Sequence, residues 1–120
     1  MLTTGSDQRR SGKMGKEPEF GDIFRITELD KVIHERARLA IMTLLYHHKE
    51  VSFNYLKQAL KTSEGNLATH LKSLEGAGYI NVIKKFVKRK PRTSYQLTKK
   101  GKERYGRYVA TIEKLVRGEL

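Results

Sequence analysis

The spacing of apolar residues along this chain switches from helical to alternating and back, and the order of those switches predicts its elements. Phe20, Ile23, Phe24, Ile26 and Leu29 recur at helical spacing. A stronger helix is predicted from about Asp30 to His47. Its second half, with Leu39, Ile41, Met42, Leu44, Leu45 and Tyr46, is apolar nearly all round and should be buried on several sides, while Glu35, Arg36 and Arg38 keep the first half wet. Lys49-Glu50 is a break, Val51 reads as a very short strand, and Ser52 caps a third helix whose inner face is Phe53, Leu56 and Leu60. A tight turn at Lys61-Thr62 leads into the stretch Thr62–Ile80. There Ser63 is the N-cap, Leu67, Leu71 and Leu74 form one stripe, and Gly76-Ala77-Gly78 ends the helix. Two short helices joined by so short a turn have the spacing of a helix-turn-helix.

From Tyr79 the period drops to that of a strand, carried by Tyr79, Ile80, Val82, Ile83, Phe86 and Val87. A second strand is predicted over Thr93–Leu97. The run Lys88-Arg89-Lys90-Pro91-Arg92 between them reads as an exposed hairpin loop, with Pro91 at the tip or an edge because it has no amide to donate. Thr98 reads as the cap of a last helix, on which Tyr105, Tyr108, Val109, Ile112, Leu115 and Val116 make one stripe. That stripe is read as pointing away from the core, to be covered by the helix beginning at Phe20, by a second copy of the chain, or by both.

Charge adds a partner to this picture. The 120 residues carry 25 Lys and Arg against 13 Asp and Glu, a net charge of +12, which favours a polyanion such as nucleic acid or an acidic membrane. The excess is uneven: residues 1–29 are balanced, whereas 61–97 hold eight cations and two acids. It therefore begins at the Thr62–Ile80 helix. On that helix Gly65, Thr69, Lys72 and Gly76, with Asn66 and Ser73 beside them, lie opposite the leucine stripe and include no acid. Such a face can lie in a duplex groove, with Asn66 suited to adenine, Lys72 to guanine or a phosphate, and Thr69 to a thymine methyl. Glu64 in the first turn is simply a partner for the helix dipole. In the hairpin loop, Arg89 or Arg92 suits a narrow minor groove.

Other classes find little support. The absence of Cys excludes disulfides, thiolate metal sites and Cys nucleophiles. His34, His47, His48 and His70 lack the spacing of metal ligands and are read as packing or surface residues. No nucleophile–base pair, carboxylate dyad or phosphate-cradling glycine loop points to an enzyme, and no cofactor is implied. No apolar run approaches the roughly 18 residues of a membrane span, and the N-terminus lacks the apolar core of a signal peptide, so a cytoplasmic protein without membrane contact is expected. Residues 1–19 have almost no large apolar side chains and read as a flexible, solvated tail.

The runs SEGNLATHLKSLEGAGYI and KRKPRTSYQLTKKG, with VIHERARLAIM before them, resemble the small archaeal and bacterial winged-helix regulators related to the MarR and ArsR groups. The resemblance lies in Gly65-Asn66-Leu67, His70-Leu71, Gly78-Tyr79-Ile80, Pro91-Arg92-Thr93 and Leu97-Thr98 with Gly101, and covers about residues 28–105. It implies an α+β, mainly α, winged helix-turn-helix over residues 20–120, with a β-hairpin wing and terminal dimerisation helices. It also implies a homodimeric transcriptional regulator of double-stranded DNA. The expected recognition-helix contacts are Thr62, Ser63, Gly65, Asn66, Thr69, His70, Lys72 and Ser73, and the wing contacts are Lys88, Arg89, Lys90, Arg92 and Thr93. The expected dimer seam joins Phe20, Ile23 and Phe24 to Tyr105, Tyr108, Val109, Ile112 and Val116. A protein-interaction module and an RNA-binding module remain as alternatives, neither of which requires sequence-specific duplex readout.

Overall fold

Residues 29–119 are described by the computed structural model. Along them run α1 (Arg36–His47), β1 (Val51–Ser52), α2 (Phe53–Leu60), α3 (Glu64–Gly76), β2 (Ile80–Val87), β3 (Lys90–Leu97) and α4 (Lys99–Val116). The tail over 1–19 and the helix predicted from Phe20, with Phe20, Ile23 and Phe24 of the expected seam, lie outside the described residues.

The first helix starts at Arg36 rather than near Asp30. Asp30 Oδ1 accepts from the amides of Val32 and Ile33 at 2.9 and 3.1 Å, which folds the preceding residues into turns. Glu35 then takes the N-cap, its carboxylate accepting from the Arg38 amide at 2.8 Å. Short acidic side chains compete for backbone donors in this way and delay helices. Ile33 is fully buried all the same, so the apolar spacing that suggested a helix belongs to a packed turn.

α2 and α3 are capped as their sequences predict. The Ser52 and Ser63 hydroxyls accept from the amides of Tyr55 and Asn66, each at 3.1 Å. Lys61 closes α2 in the left-handed region, with φ 51°, and turns the chain into α3. Leu67, Leu71 and Leu74 of α3 are buried with Ile41, Met42 and Leu45 of α1, Leu56 of α2, and Ile80, Tyr95 and Leu97 of the sheet. Helix, helix and sheet thus close on one apolar centre, which leaves the far side of α3 in solvent.

The sheet is antiparallel in the order β1-β3-β2. β1 reaches β3 only at Tyr95 and Ser94, so the outer part of β2–β3 is a two-stranded ribbon. Its tip is Lys88-Arg89, not Pro91. Both tip residues are left-handed, with φ 53° and 66°, as a tight primed hairpin turn requires. β3 begins at Lys90, earlier than the predicted Thr93, and Pro91 is paired opposite Phe86. Because Val87 and Lys90 close the turn, the next rung is a non-hydrogen-bonded one, where a proline interrupts no ladder bond.

α4 is set by Thr98 and Gly101. The Thr98 hydroxyl accepts from the Gly101 amide at 2.9 Å and donates to the Gly78 carbonyl at 2.6 Å. A Cβ on Gly101 would stand 2.1 Å from the Tyr79 carbonyl oxygen, so only glycine lets the helix start this close to the strand. The stripe on α4 does not point away from the core as expected. Tyr105 and Tyr108 are buried in it, and Val109 and Ile112 pack on its margin. The Tyr105 hydroxyl lies 2.9 Å from Thr43 Oγ1, and its ring packs tilted against Tyr46, with centroids 4.8 Å apart. The Tyr108 hydroxyl lies 2.6 Å from His34 Nδ1. These two tyrosines are therefore partners of α1 and of the turn before it, not of a dimer seam. Only the far end of the stripe, with Val116 at 80% exposure, is left without cover among the described residues.

Candidate nucleic-acid interface

α3 presents two chemically separate sides. Gly65, Asn66, Thr69, Lys72, Ser73 and Gly76 are all exposed, opposite the buried leucines. Space for a Cβ is open at both Gly65 and Gly76. Glycine inside a helix costs about 1 kcal/mol relative to alanine, and nothing within the described chain uses the room that Gly65 leaves. The Thr69 hydroxyl donates to the Gly65 carbonyl at 2.9 Å, and Ser73 donates to the Thr69 carbonyl at 3.2 Å. With its hydroxyl donating to its own helix, exposed Thr69 has its methyl group left uncommitted.

The remaining α3 candidates are placed differently. Ser63 is engaged as the N-cap and Thr62 is half-buried in the turn before it. His70 is half-buried on the side facing α1, with Nδ1 3.2 Å from Arg38 Nη1 and 3.6 Å from Glu35 Oε1. It therefore stands apart from the exposed face. Burial acts to raise the Glu35 carboxyl, but the Arg38 amide bond and the neighbouring His70 and Arg38 outweigh it and hold that carboxyl below its usual range. The cluster ties the start of α1 to the flank of α3. Glu64, read as a dipole partner, also pairs with Lys57 of α2 at 3.1 Å and so bridges the helix-turn-helix.

Between α3 and the hairpin lies an open groove of about 1230 Å³. Lys72 lines it from α3, and Lys84, Lys88, Lys90, Arg92 and Thr93 line it from the ribbon. The only acid among its lining residues is Glu75. The fold thus brings one cation of the helix to those of the wing, as the charge distribution suggests, while Arg89 sits exposed at the tip.

Three further contributors carry little signal in the sequence. Lys84 interrupts the apolar run of a strand. Its alternation with Ile80 and Val82, however, puts it on the core-facing side of β2, where the core gives way to the groove. Ser52 and Asn54 at the start of α2 also line the groove. No spacing signals this, because their place depends on how α2 meets the sheet. On the opposite side of the ribbon, Lys85 pairs with Glu50 at 2.8 Å. That pairing draws the Glu50 carboxyl below its ordinary range, the Lys85 hydrogen bond being the largest cause. Lys85 is therefore held at the base of the ribbon. Burial, with the hydrogen bond to Asp30 and its charge, holds the Tyr79 phenol above its usual range and keeps it protonated where β2 begins.

Among the described residues no group of three or more His, Cys, Asp or Glu side chains is arranged to hold a metal ion, and no helix is long and apolar enough to cross a membrane.

Comparison with known proteins places this geometry. Residues 37–116 match a family described as "Winged helix DNA-binding domain". An uncharacterized protein of Methanocaldococcus jannaschii is 35% identical over 85 residues, which are 71% of this chain and 92% of that protein. The transcriptional regulator homologue protein from Pyrococcus horikoshii OT3 superposes with a TM-score of 0.73 at 27% identity, covering 79% of this chain and 96% of that one. The crystal structure of MarR shares the fold, with a TM-score of 0.64 at 21% identity over 77% of this chain and 67% of that chain.

Proposed function

The chain belongs to the winged helix DNA-binding domain family, and from that premise we propose that it is a sequence-specific transcriptional regulator that binds duplex DNA as a homodimer. The observation that carries this reading is the groove in which Lys72 of α3 meets Lys84, Lys88, Lys90 and Arg92 of the ribbon. A polyanion following that groove releases counterions at each cation, and the acid-free face of α3 beside it is small enough to enter a major groove. In this reading Asn66, Thr69 and Lys72 contact bases, Gly65 and Ser73 allow close approach, and the wing cations hold phosphates or a narrow minor groove. Arg38 and Glu35 set His70 as a support for α3 rather than a base contact. No catalytic step, cofactor or metal is assigned, and the cytoplasm is the proposed site of action.

Two copies of α3 read successive major-groove faces when their centres are about 34 Å apart, which a defined dimer supplies. Since Tyr105 and Tyr108 belong to the chain's own core, the proposed seam contracts to Val109, Ile112 and Val116 with Phe20, Ile23 and Phe24. Selection from random-sequence duplex DNA with the full chain tests the reading. The expected product is an inverted repeat with half-sites one helical turn apart. Recovery of no consensus, with equal binding to all duplexes or a preference for RNA, would overturn it.

A further inference from the structure

The described residues include a large ring that the fold leaves in water in the middle of a charged element. Phe86 of β2 is 75% exposed. It faces Pro91 across the ribbon, beyond the reach of β1. The tight turn at Lys88-Arg89 makes Val87 and Lys90 the closing pair, so Phe86 and Pro91 occupy a non-hydrogen-bonded rung, where opposed side chains approach most closely. By alternation Phe86 shares the side of β2 that carries Ile80, Val82 and Lys84, and Pro91 lines the groove toward α3.

Stapling the ribbon does not account for the ring. A cross-strand pair contributes modestly, and this one leaves most of the ring's surface in solvent. The surroundings indicate what covers it. Lys84 on the ring's own side of β2 and Lys88 in the adjoining turn are both exposed, so an apolar protein surface would have to strip water from these cations without replacing it. A DNA minor groove offers both chemistries together: phosphates along its two edges for the cations, and the C–H surfaces of deoxyribose along its walls for the ring.

We propose that Phe86, backed by Pro91, is an apolar wedge that packs on the sugar walls of the minor groove while the surrounding cations hold the flanking phosphates. This rests on the duplex-binding reading above and adds to it an interaction that salt does not screen. Affinity of the full chain for its selected duplex, measured across about 50 to 200 mM salt, separates the two. Phe86→Ala should lose about tenfold at every salt concentration, as expected for a ring no longer buried on binding. Its slope against salt, mass in solution and melting temperature should match wild type, and Phe86→Leu should recover most of the loss. Lys88→Ala with Arg89→Ala should instead flatten the slope by about one unit for each phosphate no longer neutralised. Wild-type affinity in Phe86→Ala beside a weakened Lys88→Ala/Arg89→Ala protein would overturn the wedge and leave DNA binding standing. So would a loss in Phe86→Ala accompanied by a flatter slope, which marks a loosened ribbon that misplaces its cations. A change of mass in Phe86→Ala would overturn it too, by assigning the ring to an interface between copies. A wild-type chain that binds no duplex, or binds without salt dependence, would remove the underlying reading itself.

Discussion

The two sides of α3 differ in what they do for the chain. Leu67, Leu71 and Leu74 are buried against three other elements, whereas Gly65, Asn66, Thr69, Lys72 and Ser73, within the same helix, have no packing duty toward the described residues. One side is committed to folding, and the other is available for a partner. Folding energy and binding energy can therefore be altered separately, provided the substitution stays on one side. The same division continues into the ribbon, where Ile80 and Tyr95 enter the core while Lys84, Lys88 and Arg92 leave it.

The largest effect should come from the inner side. Leu67 is fully buried, and Leu67→Ala should cost about 2–5 kcal/mol by loss of transfer free energy plus the cavity left behind. Urea unfolding measures this, and the folded fraction should keep its DNA affinity. A variant with weakened affinity at unchanged stability would show that the two sides are not separable. Next come the wing cations. Replacing Lys88, Arg89, Lys90 and Arg92 with Ala should leave stability nearly unchanged, weaken binding to every duplex alike, and reduce the salt slope by about one unit for each phosphate no longer neutralised. An unchanged slope would take these cations out of the interface. The smallest effect on the domain itself should come from the far end of α4. Val116→Glu, at a position 80% exposed, should preserve helical content while reducing the mass in solution from dimer to monomer. A wild type that is already monomeric at micromolar concentration would remove the seam.

Much of this division is legible in the sequence, because a helix with one leucine stripe and one acid-free polar face announces two environments. The capping serines, the helix stop at Gly76-Ala77-Gly78 and the short strand at Val51 depend on local chemistry and can be read for the same reason. What cannot be read depends on competition or on distance. Val32 and Ile33 have helical spacing, but Asp30 captures their amides first. Tyr105 and Tyr108 form a stripe whose period says nothing about which surface it meets, and His34 and Thr43 receive them from more than 60 positions away in the chain. His70 sits in the recognition-helix motif, yet its partners Glu35 and Arg38 draw it toward α1. The hairpin tip is displaced for a third reason. Lys88 and Arg89 adopt left-handed backbone that neither residue type advertises.

If the outer face of α3 reads sequence while taking no part in folding, specificity and stability must come apart there. Asn66→Ala and Thr69→Ala test that when each is compared with wild type in a competition assay between the selected duplex and single-base variants of it, alongside thermal unfolding. The expected result is unchanged unfolding and a reduction of about 1–3 kcal/mol in discrimination for each base no longer read, confined to the positions each side chain reaches. Wild-type sequence preference in both variants, or a loss of preference that tracks a loss of stability, would contradict it.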